Sequence, residues 1–172
     1  GRNALWMLTS GSDNAAFGDS ALSATTTGGF NTAVGYSALN HNTTGYENTA
    51  VGNAALTSNV TGNFNVALGD NTLFNTTGSN NIAVGANAGY QNTSGSTNVF
   101  IGNGAGNNAS FSTNTGNVII GGYNITNPGG NNQVIIADGT GAAKIYVDPT
   151  GSVGIGTTTS GYKLQVNGIV AG

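Results

Sequence analysis

Residues that could carry out acid–base chemistry are scarce in this 172-residue chain, which has six acidic residues and a single histidine, His41. Asp19 and Asp70 occupy the same place in two similar stretches, each five residues after an asparagine. If each repeat rises by the ~4.8 Å between neighbouring strands, three repeats separate the two carboxylates by about 14 Å, beyond the ~5 to 9.5 Å of glycosidase pairs. Glu47, the only glutamate, has no acidic partner at its position in a neighbouring repeat. We therefore predict that the chain is not an enzyme.

The remaining motifs predict neither a metal site nor a cofactor site. His41 falls in a predicted turn, where we expect it to face outward, and the chain has no cysteine. A single histidine per chain could build a metal site only if symmetric copies met on an axis. The glycine-rich stretches 102–106 and 154–156 lack the G-x-G-x-x-G spacing and the following helix of a phosphate-binding loop. Their glycines are interpreted as corners of the fold.

Composition limits the partners of the chain. Only 5% of its residues are charged, against roughly a quarter in average soluble domains. Three basic residues, Arg2, Lys144 and Lys163, cannot neutralise a row of phosphates, so nucleic acid is excluded as a main partner. No apolar run approaches the ~20 residues that span a bilayer, so we predict no membrane insertion. Asparagine, threonine and glycine supply 80 of the 172 residues and predict a neutral surface.

A repeat of about 17 residues organises the sequence. Asparagines recur at intervals of 17, 17, 17, 16, 17 and 19 residues, at Asn14, Asn31, Asn48, Asn65, Asn81, Asn98 and Asn117. A glycine follows each by four residues, and the three residues between them are small or apolar, too few for a helix and rich in β-branched types. Such units stack as one coil each of a β-solenoid. The asparagines would then form a ladder in which each amide donates to the next coil and accepts from the last.

We predict an all-β fold in three parts. Residues 1–13 are an N-terminal cap or junction, residues 14–137 form the β-solenoid, or β-roll, of eight coils, and residues 138–172 form a C-terminal β segment. Within that segment, residues 144–147 and 163–166 alternate like the strands of a small β-hairpin around turn residues 148–151.

Both faces of the predicted strands are apolar, and this favours an oligomer. The third residue after each asparagine is bulky and is assigned to the solenoid interior, at Phe17, Val34, Val51, Leu68, Val84, Ile101, Ile120 and Ile136. The second residue would then face outward and need covering. We predict that these residues face a partner in an intertwined, parallel homotrimer: Ala16, Ala33, Ala50, Ala67, Ala83, Phe100 and Ile119. The change from alanine to Phe100 predicts a wider trimer interior near residue 98.

Six Asn-x-Ser/Thr sequons accompany the repeat, at Asn42, Asn59, Asn75, Asn92, Asn108 and Asn124. Their spacing largely follows that of the repeat. We therefore attribute them to turn chemistry and not to glycan attachment.

The phrase Asn-Thr-Ala-Val-Gly-Tyr-Ser-Ala-Leu at 31–39, with Asn-Thr-Thr-Gly at 42–45, resembles two related groups. One is the β-roll head of trimeric autotransporter adhesins, and the other comprises bacteriophage tail-fibre proteins with Asn-Thr-Ala-x-Gly repeats. The likeness covers residues 14 to about 137. Residues 153–160 and 163–168 resemble the segment that precedes an endosialidase-type intramolecular chaperone in tail fibres, although Ser-Gly-Tyr at 160–162 replaces the usual Ser-Pro step. This second likeness favours the tail-fibre group.

Residue patterns and resemblance together predict a structural fibre protein of a phage tail fibre or similar appendage, located in the virion or at a cell surface. It would form a rigid trimeric shaft or head that mediates attachment to a bacterial cell. Its expected partners are its own copies, adjoining fibre segments and a host cell-surface glycan or protein. Three aromatic residues are either receptor contacts or staples between coils: Phe30, Tyr46 and Phe64. The alternatives are a cellular trimeric adhesin and a self-polymerising extracellular filament, in which the segment around Trp6 inserts into the next subunit.

Overall fold

A computed structural model describes residues 1–122, 130–139, 142–158 and 162–166. Its strands form one sheet of eleven strands whose spatial order is the chain order. The strands are β1 Ala15–Phe17, β2 Thr32–Val34, β3 Thr49–Val51, β4 Val66–Leu68, β5 Ile82–Val84, β6 Val99–Ile101, β7 Val118–Ile120, β8 Val134–Ala137, β9 Ala143–Val147, β10 Val153–Ile155 and β11 Leu164–Val166. One 3₁₀-helical turn, Ala109–Phe111, lies between β6 and β7.

The predicted β-solenoid is confirmed, with about seven turns of ~17-residue coils. Strands β1 to β8 are parallel and stack without offset, so that Ala33, for example, pairs with Ala50, and Ala50 with Ala67. The turns stack in the same way, because Leu22 donates to the Ala38 carbonyl and Leu39 to the Ala55 carbonyl. Each residue therefore lies directly above its counterpart in the next coil.

Corner glycines end each strand from β1 to β7 because no side chain fits there. Gly35 has a φ of 138°, and a Cβ on it would lie 2.3 Å from the Gly52 carbonyl oxygen of the next coil. That contact is backbone against backbone and cannot be relieved by a rotamer change. The backbone curvature after each strand thus depends on glycine.

After the corner, the chain curves through residues with left-handed backbone conformations. Ser37 and Leu39 have φ values of 53° and 51°, and the equivalent leucines of three other coils, Leu22, Leu56 and Leu73, have values from 49° to 54°. A left-handed L-residue costs roughly 1–2 kcal/mol. All four leucine side chains are fully buried, and full burial of a leucine contributes about 1.5–3 kcal/mol, which offsets the strain.

The assignment of the two strand faces from the sequence was wrong. Ala33, Ala50, Ala67, Ala83, Phe100 and Ile119 are completely buried inside the single chain, and Ala16 is partly buried at its end. These residues form the solenoid core and cannot face another subunit. The bulky third residue of each strand points outward instead. The physical reason is space: in the first four coils a fully buried turn leucine takes up much of the narrow interior, so a small residue fits opposite it.

The change from alanine to Phe100 is also explained by packing inside the single chain, and not by a wider trimer interior. Below, the matching of a large strand residue with a small turn residue, or the reverse, is called the volume rule. In this region, glycines take the place of the leucines, at Gly89 and Gly106. A Cβ on Gly106 would lie 2.3 Å from the Phe100 ring, and one on Gly89 would lie 2.7 Å from it. Phe111 packs edge-on at a centroid distance of 6.3 Å. A large strand residue is therefore paired with a small turn residue, the reverse of the Ala–Leu coils.

The C-terminal segment pairs differently from the expected hairpin. Strand β9 runs antiparallel to both β8 and β10, and the turn 148–152 joins β9 to β10. Strand β11 pairs in parallel with β10. The two segments expected to pair, 144–147 and 163–166, are therefore separated by β10. Sequence alternation identified both segments as strands but could not reveal the short β10 between them.

Exchanging large and small residues between Phe100 and Gly106 tests the volume rule. We expect Phe100→Ala to destabilise by about 3–5 kcal/mol through a cavity, and Gly106→Leu to destabilise through overpacking against the ring. The double variant recreates the Ala–Leu pairing of the other coils. It should be more stable than the sum of the single effects by at least about 1 kcal/mol, measured by chemical denaturation. Additive effects would contradict the proposed pairing.

Candidate functional site

The asparagines of the repeat form one continuous hydrogen-bonded column beside the sheet. The Asn31 side-chain oxygen accepts from both the backbone N–H of Asn48, at 3.0 Å, and its side-chain Nδ2, at 3.1 Å. The same pair of bonds recurs at every step along the column Asn14, Asn31, Asn48, Asn65, Asn81, Asn98 and Asn117. The Gln133 backbone N–H donates to the Asn117 oxygen as the next step. Each amide donates towards the preceding coil, the opposite of the direction assumed from the sequence.

A second buried column, which sequence reasoning missed, runs parallel to the first. Asn42 and Asn59 are fully buried, and Asn59 Nδ2 donates to the Asn42 oxygen at 3.3 Å. Each also donates to the glycine three residues later, Gly45 and Gly62 respectively. The 17-residue interval together with a glycine at the third following position was the signal that could have revealed this column.

The two columns meet at the second-corner glycines. The Gly45 carbonyl accepts from Asn31 and from Asn42, both at 2.9 Å. Gly62 and Gly95 each accept two side-chain amides in the same way. Both lone pairs of a buried carbonyl are thereby satisfied, which locks the strand end to the turn of each of these coils.

The sequon asparagines of this second column use their side-chain Nδ2 groups as donors within the chain. Asn42, Asn59 and Asn92 are completely buried and donate within the chain. Asn75 donates to the Tyr90 carbonyl. Asn124 lies outside the described residues. The interpretation of the buried sequons as turn chemistry agrees with these contacts.

The outer face of the sheet carries two aligned rows of side chains, here called the outer sheet face. The first row is Ala15, Thr32, Thr49, Val66, Ile82, Val99, Val118, Val134, Val147, Val153 and Leu164. The second row is Phe17, Val34, Val51, Leu68, Val84, Ile101, Ile120, Ile136, Ile145, Ile155 and Val166. Neither row contains a charged residue, and only the two threonines are polar.

The outer sheet face is open in the single chain. Beyond Phe17, the second-row side chains are 36 to 42% exposed. Isolated exposed aliphatic residues are ordinary, whereas contiguous apolar surfaces of this extent are typical of interaction sites. Dispersion and hydrophobic contacts are the only strong interactions that such a face can make. The face is therefore suited to another apolar, equally regular surface.

Three aromatic residues lie just before strands β2, β3 and β4, and two of them are in contact. Phe30 and Phe64 occupy the same position in coils two apart, and Tyr46 packs against Phe64 edge-on at a centroid distance of 5.1 Å. Tyr46 and Phe64 remain 41% and 43% exposed, and Phe30 is 61% exposed. The Tyr46–Phe64 pair thus acts as a staple between coils while leaving ring surface open. Phe30 has the most open ring of the three.

Ionisable groups in the described part of the chain do not assemble a reactive centre. Asp70 accepts hydrogen bonds from Asn53 and Asn71, both at 2.8 Å. His41 is exposed in its turn, and no group of three or more His, Asp or Glu residues able to hold a metal occurs among the described residues. Burial, with a smaller contribution from the charge of Asp148, raises the pKa of Tyr146, which continues the inward row in β9.

Comparisons with protein-family models, with curated proteins and with solved structures find no match to this chain. Among the described residues, no helix has the length and apolar character needed to cross a membrane. The outer sheet face and the aromatic residues are therefore identified as candidate sites from the contacts and exposure of this chain alone.

Removing one step of the asparagine ladder should be costly. Asn48→Ala removes the acceptor of the Asn65 backbone N–H and side-chain Nδ2 and one donor to the Asn31 oxygen. Leaving these groups buried without partners should destabilise by roughly 2–5 kcal/mol. The matched control is Asn53→Ala, because Asn53 also donates to a neighbouring coil but is exposed. We expect about 0.5 kcal/mol or less for the control. Equal losses in denaturation experiments would show that the ladder does not stabilise the coil.

Proposed function

We propose that the chain is a segment of a homotrimeric fibre, in which three parallel solenoids pack their outer sheet faces around one axis. The fibre serves as a rigid support that mediates attachment to a bacterial cell surface, as the tail fibre of a phage or a similar appendage does. The observation that carries this proposal is that the outer sheet face has no charged residue and is apolar except for Thr32 and Thr49. The outer sheet face takes the role of the trimer contact that the sequence had assigned to the alanines, because the alanines are buried in the core of the single chain.

The outer sheet face is long and narrow. Eleven strands at ~4.8 Å give a length of about 48 Å, and two rows of side chains give a width of roughly 10 Å. Each chain then offers about 500 Å², so each of the three pairwise contacts buries about 500 Å² in total, a small area beside the roughly 1200 Å² of a standard specific interface. Two rows per chain also suit threefold packing, since each row can contact a different neighbour.

The distribution of small residues favours a parallel arrangement. The first row begins with Ala15, Thr32 and Thr49 and continues with larger aliphatic residues from Val66 onward. Parallel copies place the threonines of all chains at the same level, where their hydroxyl groups can bond one another. Antiparallel copies would bury those hydroxyl groups against valine and isoleucine, which lack polar partners for them.

Rigidity follows from the continuous hydrogen bonding along the coils. The strand ladder, the asparagine ladder and many turn bonds join one coil to the next along the solenoid axis, so bending requires many bonds to stretch together. A stiff, nearly uncharged rod that resists local opening is suited to holding a recognition surface away from a particle. The resemblance of the repeats to phage tail fibres and adhesin heads points to the same use.

Charged substitutions on the outer sheet face should dissociate the oligomer. We expect the unaltered protein to have three times the 16.9 kDa mass of the chain in light-scattering chromatography. Val51→Lys with Val84→Lys should reduce the mass to that of one chain without unfolding the solenoid, because both side chains lie outside the core. Tyr36→Lys is the control, since Tyr36 is exposed and lies off this face. A folded, monomeric unaltered protein would refute the trimer.

The receptor role can be tested separately with a glycan array. We expect binding to require the aromatic cluster, because sugar rings stack on exposed aromatic faces through their apolar C–H surfaces. Phe30→Ala with Phe64→Ala should reduce the signal at least about tenfold, which corresponds to about 1.4 kcal/mol. The control is Tyr36→Ala, since Tyr36 is as exposed as Phe30, at 60%, but lies beyond the opposite end of the strand. Unchanged binding by the double variant would remove the cluster from the receptor site.

A further inference from the structure

We propose that the residues just before strands β2 and β3 bind a quaternary ammonium group, of the kind that choline carries, on a bacterial surface glycan. The site, here called the ammonium seat, consists of Gly29, Phe30, Tyr46 and Glu47. Its assignment to a surface glycan depends on the proposed attachment function, whereas the seat itself depends only on the contacts, exposure and charges of these residues.

The four residues of the ammonium seat occupy neighbouring positions in two successive coils. The Glu47 backbone N–H donates to the Gly29 carbonyl at 3.1 Å, as the Phe64 N–H donates to the Tyr46 carbonyl one coil later. Gly29 is therefore stacked against Tyr46, and Phe30 against Glu47, each pair about 4.8 Å apart along the rod. The residues mark the four corners of a block on the surface of the solenoid.

One corner of this block has no side chain, because it is Gly29. Tyr46 holds the equivalent place one coil later, where its ring packs edge-on against Phe64 at a centroid distance of 5.1 Å. The three nearest atoms that a Cβ on Gly29 would meet all belong to the Ser12 backbone, at 3.0 to 3.9 Å. None of them belongs to a side chain of the block, so a gap lies over Gly29.

Two aromatic rings border this gap. Phe30 is 61% exposed and Tyr46 is 41% exposed, so both keep open ring surface. A cation within about 6 Å of a ring centroid is attracted by the negative face of the ring. A quaternary ammonium group suits two rings because its methyl groups pack against them. A primary ammonium group is strongly hydrated, and its N–H donors need acceptors that the rings supply poorly.

Carboxylates supply the negative charge around the gap. Glu47 is one corner of the block, and Asp13 holds the position of Phe30 one coil earlier; both residues are exposed. Within the described ranges neither carboxylate forms a salt bridge, since the ion pair found there joins Lys144 to Asp138. A cation over Gly29 would therefore meet two carboxylates that have no competing positive partner.

Backbone strain at the same corner is a separate indication of function. Phe30 and Glu47 have left-handed conformations, with φ values of 58° and 55°. Asp13 and Asn80 hold this position in other coils, with φ values of 58° and 61°, and are the residue types that adopt the conformation most readily. The buried turn leucines offset such strain by burial, but exposed residues recover little. Strained residues that their surroundings do not reward are typical of functional sites.

Nuclear magnetic resonance titration of the unaltered protein with choline chloride gives the first test. We expect choline to shift the Gly29 and Glu47 amide signals with a Kd of roughly millimolar order. The uncharged analogue, in which a tert-butyl group replaces the trimethylammonium group, should bind at least about threefold more weakly because the rings and carboxylates favour a cation. Equal binding of the two compounds, or no shift with choline, would overturn the proposal.

Filling the gap gives the second test. Gly29→Asn places there the side chain that Asn63 carries two coils later, where its oxygen accepts from the Tyr46 N–H at 2.9 Å. The Gly29 backbone is not left-handed, so we expect the variant to fold. Its affinity for choline should decrease at least about tenfold, because the amide occupies the space of the ligand. A folded variant with unchanged choline affinity would overturn the proposal.

Removing the charge gives a test that leaves the shape of the seat intact. Glu47→Gln should weaken choline binding at least about threefold and leave binding of the tert-butyl analogue unchanged. The matched control is Asp19→Asn, since Asp19 is stacked beside a single exposed aromatic residue, Tyr36, with no gap next to it. The control should leave choline binding unchanged. Equal effects of the two substitutions would show that no seat exists at Glu47.

A choline-substituted bacterial polysaccharide separates the seat from the attachment function. We expect it to bind the unaltered protein and not Gly29→Asn, and to bind more tightly than phosphatidylcholine vesicles, which present the same group on a lipid. If choline binds but the polysaccharide does not, or if the vesicles bind more tightly, the seat stands and its assignment to a glycan is overturned. If the polysaccharide binds both proteins equally, attachment stands and the seat is overturned as its receptor contact.

Discussion

Every side chain in this solenoid must tolerate its own counterpart about 4.8 Å above and below it, because the coils stack without offset. Amides meet this condition, since one amide can donate and accept at once, and aliphatic side chains meet it by packing. Charged side chains do not, because like charges would stack along the rod. The low charge of the chain follows from this geometry. Asp70, for example, lies next to Asn53 in its column and accepts a hydrogen bond from it.

Stacking also constrains the interior, where volume must be shared between the strand and the turn of each coil. Leu39 and Leu56 take most of that volume in the regular coils and leave room for alanine. Near Phe100 the strand residue takes most of the volume, and the turns carry Gly89 and Gly106. The large residue of the core is thus on the turn in the regular coils and on the strand near Phe100. A local change of residue type does not need a change of architecture.

The sequence was sufficient to predict what depends on periodicity alone. The 17-residue interval identified the strands, the corner glycines and the asparagine column. It could not identify the interior face, because both faces of a Thr-Ala-Val strand are free of charge and hydrophobicity does not distinguish them. The interior face is set by the volume that the turn leucine occupies. The sequence does not show that this leucine packs opposite the strand, whereas the structure does. Asn42 and Asn59 were missed for a similar reason, since a sequon and a buried turn asparagine have the same local sequence.

The separation of the core from the outer sheet face has a consequence for assembly. Because alanines and leucines complete the core within one chain, a coil can form on the coil beside it before any second chain arrives. Folding can then propagate along the rod through nearest-neighbour contacts, as in other solenoids. Each coil adds one residue to each row of the apolar outer face, so in the proposed trimer the free energy gained by association increases with the number of coils formed. The proposed trimer would therefore assemble late, from nearly complete solenoids, with the regular register of the rows aligning the chains.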